Sequence, residues 1–124
     1  YSVYVNKTAF FQVIWNLLQN AFKYTKRGEI SITANEGIDG LIYIHIRDTG
    51  VGISQEDLDL VGSFRFRSSN VANLPGQGVG LWFTNKLLRM MEGNLVIESV
   101  EGEGSIFSAG FPKRELDVKI CLRR

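Results

Sequence analysis

The strongest constraint on the fold lies between Lys7 and Thr25, where helix formers and apolar residues recur at helical spacing until Lys26-Arg27-Gly28 interrupts them. Asn6 stands where a helix N-cap is wanted. On a wheel of about 100° per residue, Gln12, Asn16, Asn20 and Lys23 share a narrow stripe, opposite Phe10, Ile14, Leu17, Leu18 and Ala21. Such a helix needs a surface to bury its apolar side, and the following residues supply one. Glu29 to Asn35 alternates, with Ile30, Ile32 and Ala34 on one side. Leu41 to Asp48 follows the turn signal Gly37-Ile38-Asp39-Gly40, so the two read as a hairpin. Ser54, with Asp57 three residues on, resembles a capping box opening a short helix to about Leu60, and a polar loop runs from Gly62 to Gln77. A second long helix is expected from Gly80 to Met91, with Leu81, Thr84, Leu87, Leu88 and Met91 in register and Gly93 as its stop. Strands at about Leu95 to Val100 and Ser105 to Phe111 flank Gly102-Glu103-Gly104, and Tyr1 to Val5 reads as a strand. One-sided strands and two amphipathic helices predict an α/β (α+β) two-layer sandwich, a mixed sheet with the helices packed on one face.

The chain has 124 residues, 44% hydrophobic and 22% charged, which fits one compact domain with a real core. A formal charge of +1 offers no global field for nucleic acid or an acidic membrane, so no nucleic acid and no direct membrane contact are expected, and any basic site must be local. The single Cys121 cannot form an internal disulfide and fits a reducing, cytoplasmic setting. No apolar run approaches the roughly 20 residues that span a bilayer. The opening at Tyr1, without methionine and in mid-strand, suggests a piece of a longer protein.

Three groups of residues point to chemistry. The stripe on the first helix would ordinarily be a solvated face, but such faces favour Lys and Glu. Asn16 and Asn20 are poor helix formers that offer neutral oxygens to a hard cation such as Mg²⁺, and Lys23, a turn further on, can meet phosphate. In Asp48-Thr49-Gly50-Val51-Gly52-Ile53, continued alternation places Asp48 on the face of Ile42, Ile44 and Ile46. Asp followed by Gly is common turn chemistry, yet a carboxylate on the apolar side needs a donor, and the exocyclic amino group of a purine is one. Gly76-Gln77-Gly78-Val79-Gly80 leads into the second helix, whose N-terminus favours phosphate. Neither the dinucleotide fingerprint nor the Walker pattern fits these glycines, because Leu81 stands where the former needs Gly and no Lys-Ser or Lys-Thr follows.

In this order and spacing the segments resemble the boxes of the histidine kinase branch of the GHKL superfamily, which also contains gyrase, Hsp90 and MutL. Phe11 to Thr25 resembles the N box, Asp48 to Ile53 the G1 box, Gly76 to Leu81 the G2 box, and Gly102 to Phe107 the closing turn and strand. The F box departs from the pattern, with Val61 where the first Phe is expected, ahead of Phe64 and Phe66. The resemblance implies a Bergerat ATP-binding fold with ATP and Mg²⁺ as cofactors. It implies Mg²⁺ ligation by Asn20, a phosphate region lined by Asn16 and Lys23, Tyr24 near the adenine, and Asp48 on the adenine amino group. Gly50, Gly52 and Ile53 would shape that wall, and Ser105 would help through an ordered water. Gln77, Gly78, Val79, Gly80 and Leu81 would close over the phosphates, and Gly62 to Gln77 would form a lid from which Arg65 and Arg67 reach them.

The same resemblance implies transfer of the γ-phosphoryl group to a histidine on a helical dimerisation domain outside these residues, with a response regulator downstream. A serine kinase of the anti-sigma type and a non-catalytic nucleotide-binding module are the alternatives. His45 is not the acceptor: it reads as a half-exposed residue opposite the isoleucine face.

Overall fold

A computed structural model describes residues 2–5, 7–53, 79–113 and 118–121. The elements are β1 (Ser2–Val5), α1 (Lys7–Tyr24), β2 (Ile30–Glu36), β3 (Ile42–Asp48), α2 (Val79–Met90), β4 (Asn94–Val100), β5 (Gly104–Phe111) and β6 (Val118–Cys121). The predicted cap at Asn6, the short helix from Ser54 to Leu60 and the lid from Gly62 to Gln77 lie outside the described residues.

The two layers are those expected, with α1 packed on β3 and β5, α2 packed on β4 and β5, and the helices against each other. The pairing differs from the mixed sheet expected. The main sheet runs β2-β3-β5-β4 and every neighbouring pair in it is antiparallel. Connectivity accounts for two of the pairs, since β2–β3 and β4–β5 are joined by tight turns, which permit only antiparallel pairing; β3 and β5, distant in the chain, are joined by their register. β1 and β6 form a separate antiparallel pair. β6 escaped the sequence reading because its partner lies at the other end of the chain and no local turn announces it.

The register aligns one apolar row after another on the helix-facing side. Ile46 pairs with Phe107 and Phe107 with Ile97; Ile44 pairs with Ala109 and Ala109 with Leu95. From α1, Phe10, Val13, Leu17 and Ala21 join this core, and Leu81 and Leu88 join it from α2. Phe10 stacks obliquely on Phe111 with ring centroids 5.0 Å apart. The buried side of α1 is therefore rotated slightly from the expected one. Val13 and Asn20 are inside, Ile14 and Leu18 only partly so, and Phe11, Trp15 and Phe22 remain exposed.

Two turns hold the sheet ends. Tyr43 donates its hydroxyl to Asp39 Oδ2 at 2.7 Å while accepting from Asn94 Nδ2 at 3.1 Å, tying the β2–β3 turn to the start of β4. This bond holds the Asp39 carboxyl below its ordinary range. At the end of α2 the left-handed residue is Glu92, with φ of 62°, rather than Gly93. Gly93 is needed for another reason, since a side chain there would run into the Gly110 carbonyl.

Burial decides what each strand residue contributes. Phe107 is fully buried, whereas Ile32 on β2 is 55% exposed although it pairs with Ile46, because α1 lies over β3 and β5. Phe107→Ala is expected to cost about 3–5 kcal/mol, and Ile32→Ala under about 1 kcal/mol. Urea unfolding of the two variants checks this. Comparable losses would contradict the described coverage of the sheet.

Candidate functional site

The helix-facing side of the sheet changes character in its last row. The penultimate row reads Ile32, Ile46, Phe107, Ile97; the last reads Ile30, Asp48, Ser105, Ser99. Alternation along β3 carries Asp48 to the same side as Ile42, Ile44 and Ile46, and it is 2% exposed. Burial pushes its carboxyl above the ordinary carboxylate range, while the backbone N–H groups of Gly50 and Ser105 and the Thr25 hydroxyl pull it back. Gly50 N–H donates to Asp48 Oδ1 at 2.9 Å, a turn closed by the carboxylate itself. Asp48 Oδ2 is sealed from solvent and has no hydrogen-bond partner among the described residues.

The loop after Asp48 is stitched on both sides. Val51 N–H donates to the Tyr24 carbonyl at the end of α1, at 3.1 Å, and the Val51 carbonyl accepts from Gly102 N–H in the β4–β5 turn, at 2.7 Å. Ile53 N–H donates to Ser99 Oγ at 2.6 Å. Ser99 gives its one proton to the Gly104 carbonyl, at 3.0 Å, so the Ser105 hydroxyl, 2.7 Å away, must donate to Ser99. Ser105 then presents only lone pairs to anything else.

The glycines of this loop have a reason within the protein itself. A Cβ at Gly50 would collide with the Tyr24 carbonyl, and one at Gly52, where φ is 71°, with the Val100 carbonyl. Beyond shaping a wall for a ligand, these glycines let the chain's own backbone fill the space. Ile53, 1% exposed, packs into the core and anchors the loop.

On α1, the predicted stripe is a linked set. Gln12 Nε2 donates to Asn16 Oδ1 and Asn20 Nδ2 donates to the Asn16 carbonyl, each at 3.0 Å. Asn20 is buried at 7% exposure and Lys23 is exposed. Tyr24 is buried at the end of the helix. The structure thus brings together Tyr24, Asp48, Gly50, Gly52, Ile53 and Ser105 around one loop, and Asn16 with Asn20 on one helix face. Val79 and Gly80 open α2, and the Leu81 side chain is fully buried in the core, which leaves only its backbone for a ligand. Arg65, Arg67, Gln77 and Gly78 lie outside the described residues.

Sequence reasoning missed Ser99 and assigned no role to Thr25. Ser99 carried a signal in its alternation with Ile97 and Leu95, but its importance depends on the β4–β5 register. His45 is half-buried on the open side of the sheet, as expected, with its ring nitrogens 2.7 Å from Ser108 Oγ and from Asn35 Oδ1. A depression of about 410 Å³ lies beside Tyr24, Gly50 and Val51. A larger one, about 780 Å³, opens on the other side of α1 among Phe11, Trp15 and Leu18.

Residues 5–115 match the model of the histidine kinase-, DNA gyrase B- and HSP90-like ATPase family, and the chain belongs to that family. It is similar to sensor histidine kinases. It is 37% identical over 109 residues to the histidine protein kinase DivJ of Caulobacter vibrioides, covering 86% of this chain and 18% of DivJ. It is 28% identical over 111 residues to the aerobic respiration control sensor protein ArcB of Escherichia coli, covering 87% of this chain and 14% of ArcB. The chain therefore spans less than a fifth of either relative. Among solved structures, full-length ShkA in complex with AMPPNP superposes with a TM-score of 0.71 at 24% identity, over 84% of this chain and 21% of ShkA, which shows the shared fold. No helix among the described residues is long and apolar enough to cross a membrane.

Burial of Asp48 sets a pH signature. A carboxyl raised by burial binds its proton more tightly in the folded state, so its contribution to stability is fully present below the unfolded pKa and is lost as pH rises through the raised value. In the ligand-free domain Asp48→Asn is therefore expected to melt no lower than wild type at pH 7, with the difference between them narrowing toward pH 4. Thermal melts across this range check it. A marked drop at pH 7 would show that the charged carboxylate stabilises the ligand-free fold.

Proposed function

We propose that this domain binds Mg-ATP and supplies the γ-phosphoryl group to a histidine on a separate helical dimerisation domain of the same sensor kinase, with a response regulator downstream. The chain, residues 1–124, is then the catalytic ATP-binding domain. The observation that carries the reading is Asp48: a carboxylate 2% exposed, oriented by Gly50, with one oxygen lacking a donor among the described residues. A fold tolerates a sealed, unpaired acceptor where a ligand supplies the donor, and an adenine amino group has the required N–H. Guanine presents an oxygen at that position and would be repelled.

The remaining assignments follow from donor chemistry. Asn20 uses its nitrogen on its own helix, which leaves Oδ1 as a neutral, hard oxygen suited to Mg²⁺. Asn16 has its oxygen engaged by Gln12, so its Nδ2 is the group left for phosphate. Lys23, exposed one turn beyond Asn20, adds a positive charge. Tyr24, Gly50, Gly52 and Ile53 form the base wall, and Ser105, as an acceptor only, orders a water beside Asp48. The N-terminus of α2 at Val79 and Gly80, followed by Leu81, offers backbone N–H groups to phosphate, and Gln77, Gly78, Arg65 and Arg67 are assigned to its closure. When bound, Mg²⁺ neutralises charge developing on the phosphoryl oxygens.

Asn16 also limits the chemistry. In the related ATPases gyrase and Hsp90 a glutamate at this position activates water, whereas an amide is no base at neutral pH. Hydrolysis is suppressed and the phosphoryl group is kept for the histidine.

The chain is expected to bind a fluorescent adenine nucleotide with Mg²⁺ dependence, to prefer ATP over GTP by at least about tenfold, and to lose about 10- to 100-fold in ATP affinity with Asp48→Asn. With labelled ATP it should release phosphate negligibly and pass label only to the helical domain added in trans. Equal affinity for ATP and GTP would overturn the base assignment, and steady phosphate release typical of an ATPase would overturn the role of Asn16.

A further inference from the structure

Two polar atoms of the described protein are sealed from solvent without a hydrogen-bond partner among the described residues: Asp48 Oδ2 and Thr25 Oγ1. Asp48 is used by the function above. Thr25 is not, and leaving a buried hydroxyl unpaired costs about 1–3 kcal/mol.

Thr25 follows directly on α1, at the point where the Tyr24 carbonyl accepts Val51 N–H. Its orientation can be read from the two glycines it touches. The methyl group faces Gly28, where a Cβ would lie 3.7 Å from it, and the hydroxyl faces Gly50, where a Cβ would lie 2.8 Å away. Gly50 is the residue whose N–H holds Asp48 Oδ1. The hydroxyl and the carboxylate therefore border the same glycine. The hydroxyl is also near enough to the carboxylate to favour its charged form.

We infer that Thr25 is a positioning and specificity residue for the base, which steadies Asp48 Oδ2 so that this oxygen meets the exocyclic amino group of an adenine. The inference rests on the base-reading role of Asp48 proposed above. A carboxylate oxygen accepts two hydrogen bonds. Donation from the Thr25 hydroxyl engages one lone pair of Oδ2 and leaves the other for the ligand's N–H. The carboxylate then keeps its angle and its charge in a wall that otherwise opposes ionisation. No methyl or methylene group can do this, and serine can.

The test compares ATP with purine riboside triphosphate, which lacks only the 6-amino group, by calorimetric titration of the full chain with Mg²⁺ present. Wild type should bind ATP more tightly than the analogue. Thr25→Val, which keeps the shape and removes the hydroxyl, should weaken ATP about tenfold while leaving the analogue within about twofold, and Thr25→Ser should restore ATP binding. If Thr25→Val does not fold, Thr25→Ala makes the same comparison. Parallel weakening of both nucleotides, or undiminished preference for ATP in the hydroxyl-free variants, would overturn the role of Thr25 while leaving Asp48 as the base reader. Wild type that binds both nucleotides equally would overturn the base-reading role itself, and the inference with it.

Discussion

The helix-facing side of the sheet is apolar for most of its length and turns polar in a single row, where Asp48, Ser105 and Ser99 stand side by side on three strands. Everything that gives the domain a site depends on that change of character. Two rows further in, Ile44 and Ala109 lie under α1 with no polar atom to satisfy. At the last row the sheet still faces inward, so Asp48 and Ser105 are buried and Ser99 is half-buried, and each must find a partner or wait for one. Ser99 and Ser105 find partners in each other, in Gly104 and in Ile53 N–H. One oxygen of Asp48 does not.

The loop that follows converts this row into a wall of defined shape. It is held to α1 through the Tyr24 carbonyl, to the β4–β5 turn through Gly102 and to the serine pair through Ile53. These contacts come from two distant parts of the chain, the end of α1 and the β4–β5 hairpin, so the wall is positioned by rigid elements rather than by the loop's own preferences. The glycines serve the same end. Gly50 and Gly52 let the loop lie directly on the carbonyls of Tyr24 and Val100, and a side chain at either place would push it off the scaffold.

Much of this was legible beforehand because it is periodic. The 3.6-residue pattern of Lys7 to Thr25 marked α1 and its polar stripe, and the two-residue pattern of Ile42, Ile44, Ile46 and Asp48 placed the carboxylate on the buried side. The turn residues around Asp39 announced the hairpin. What was not legible is what periodicity leaves out. The pairing of β1 with β6 joins the two ends of the chain. The exposure of Ile32 depends on where α1 lies across the sheet, and the left-handed residue after α2 is Glu92 although Gly93 carries the stronger local preference.

The sequence by itself determined the two long helices, the strands β1 to β5, the buried side of β3 and the order of the three glycine- and asparagine-bearing segments, since these depend on side-chain spacing and on local backbone preference. Only the tertiary structure decided the antiparallel order β2-β3-β5-β4, the placing of Ser99 beside Ser105, and the approach of Thr25 to Gly50 at the edge of the Asp48 carboxylate. Those relations join residues distant in the chain through hydrogen-bond register and close packing. Neither has a signature in any one segment, because each is a property of two surfaces meeting.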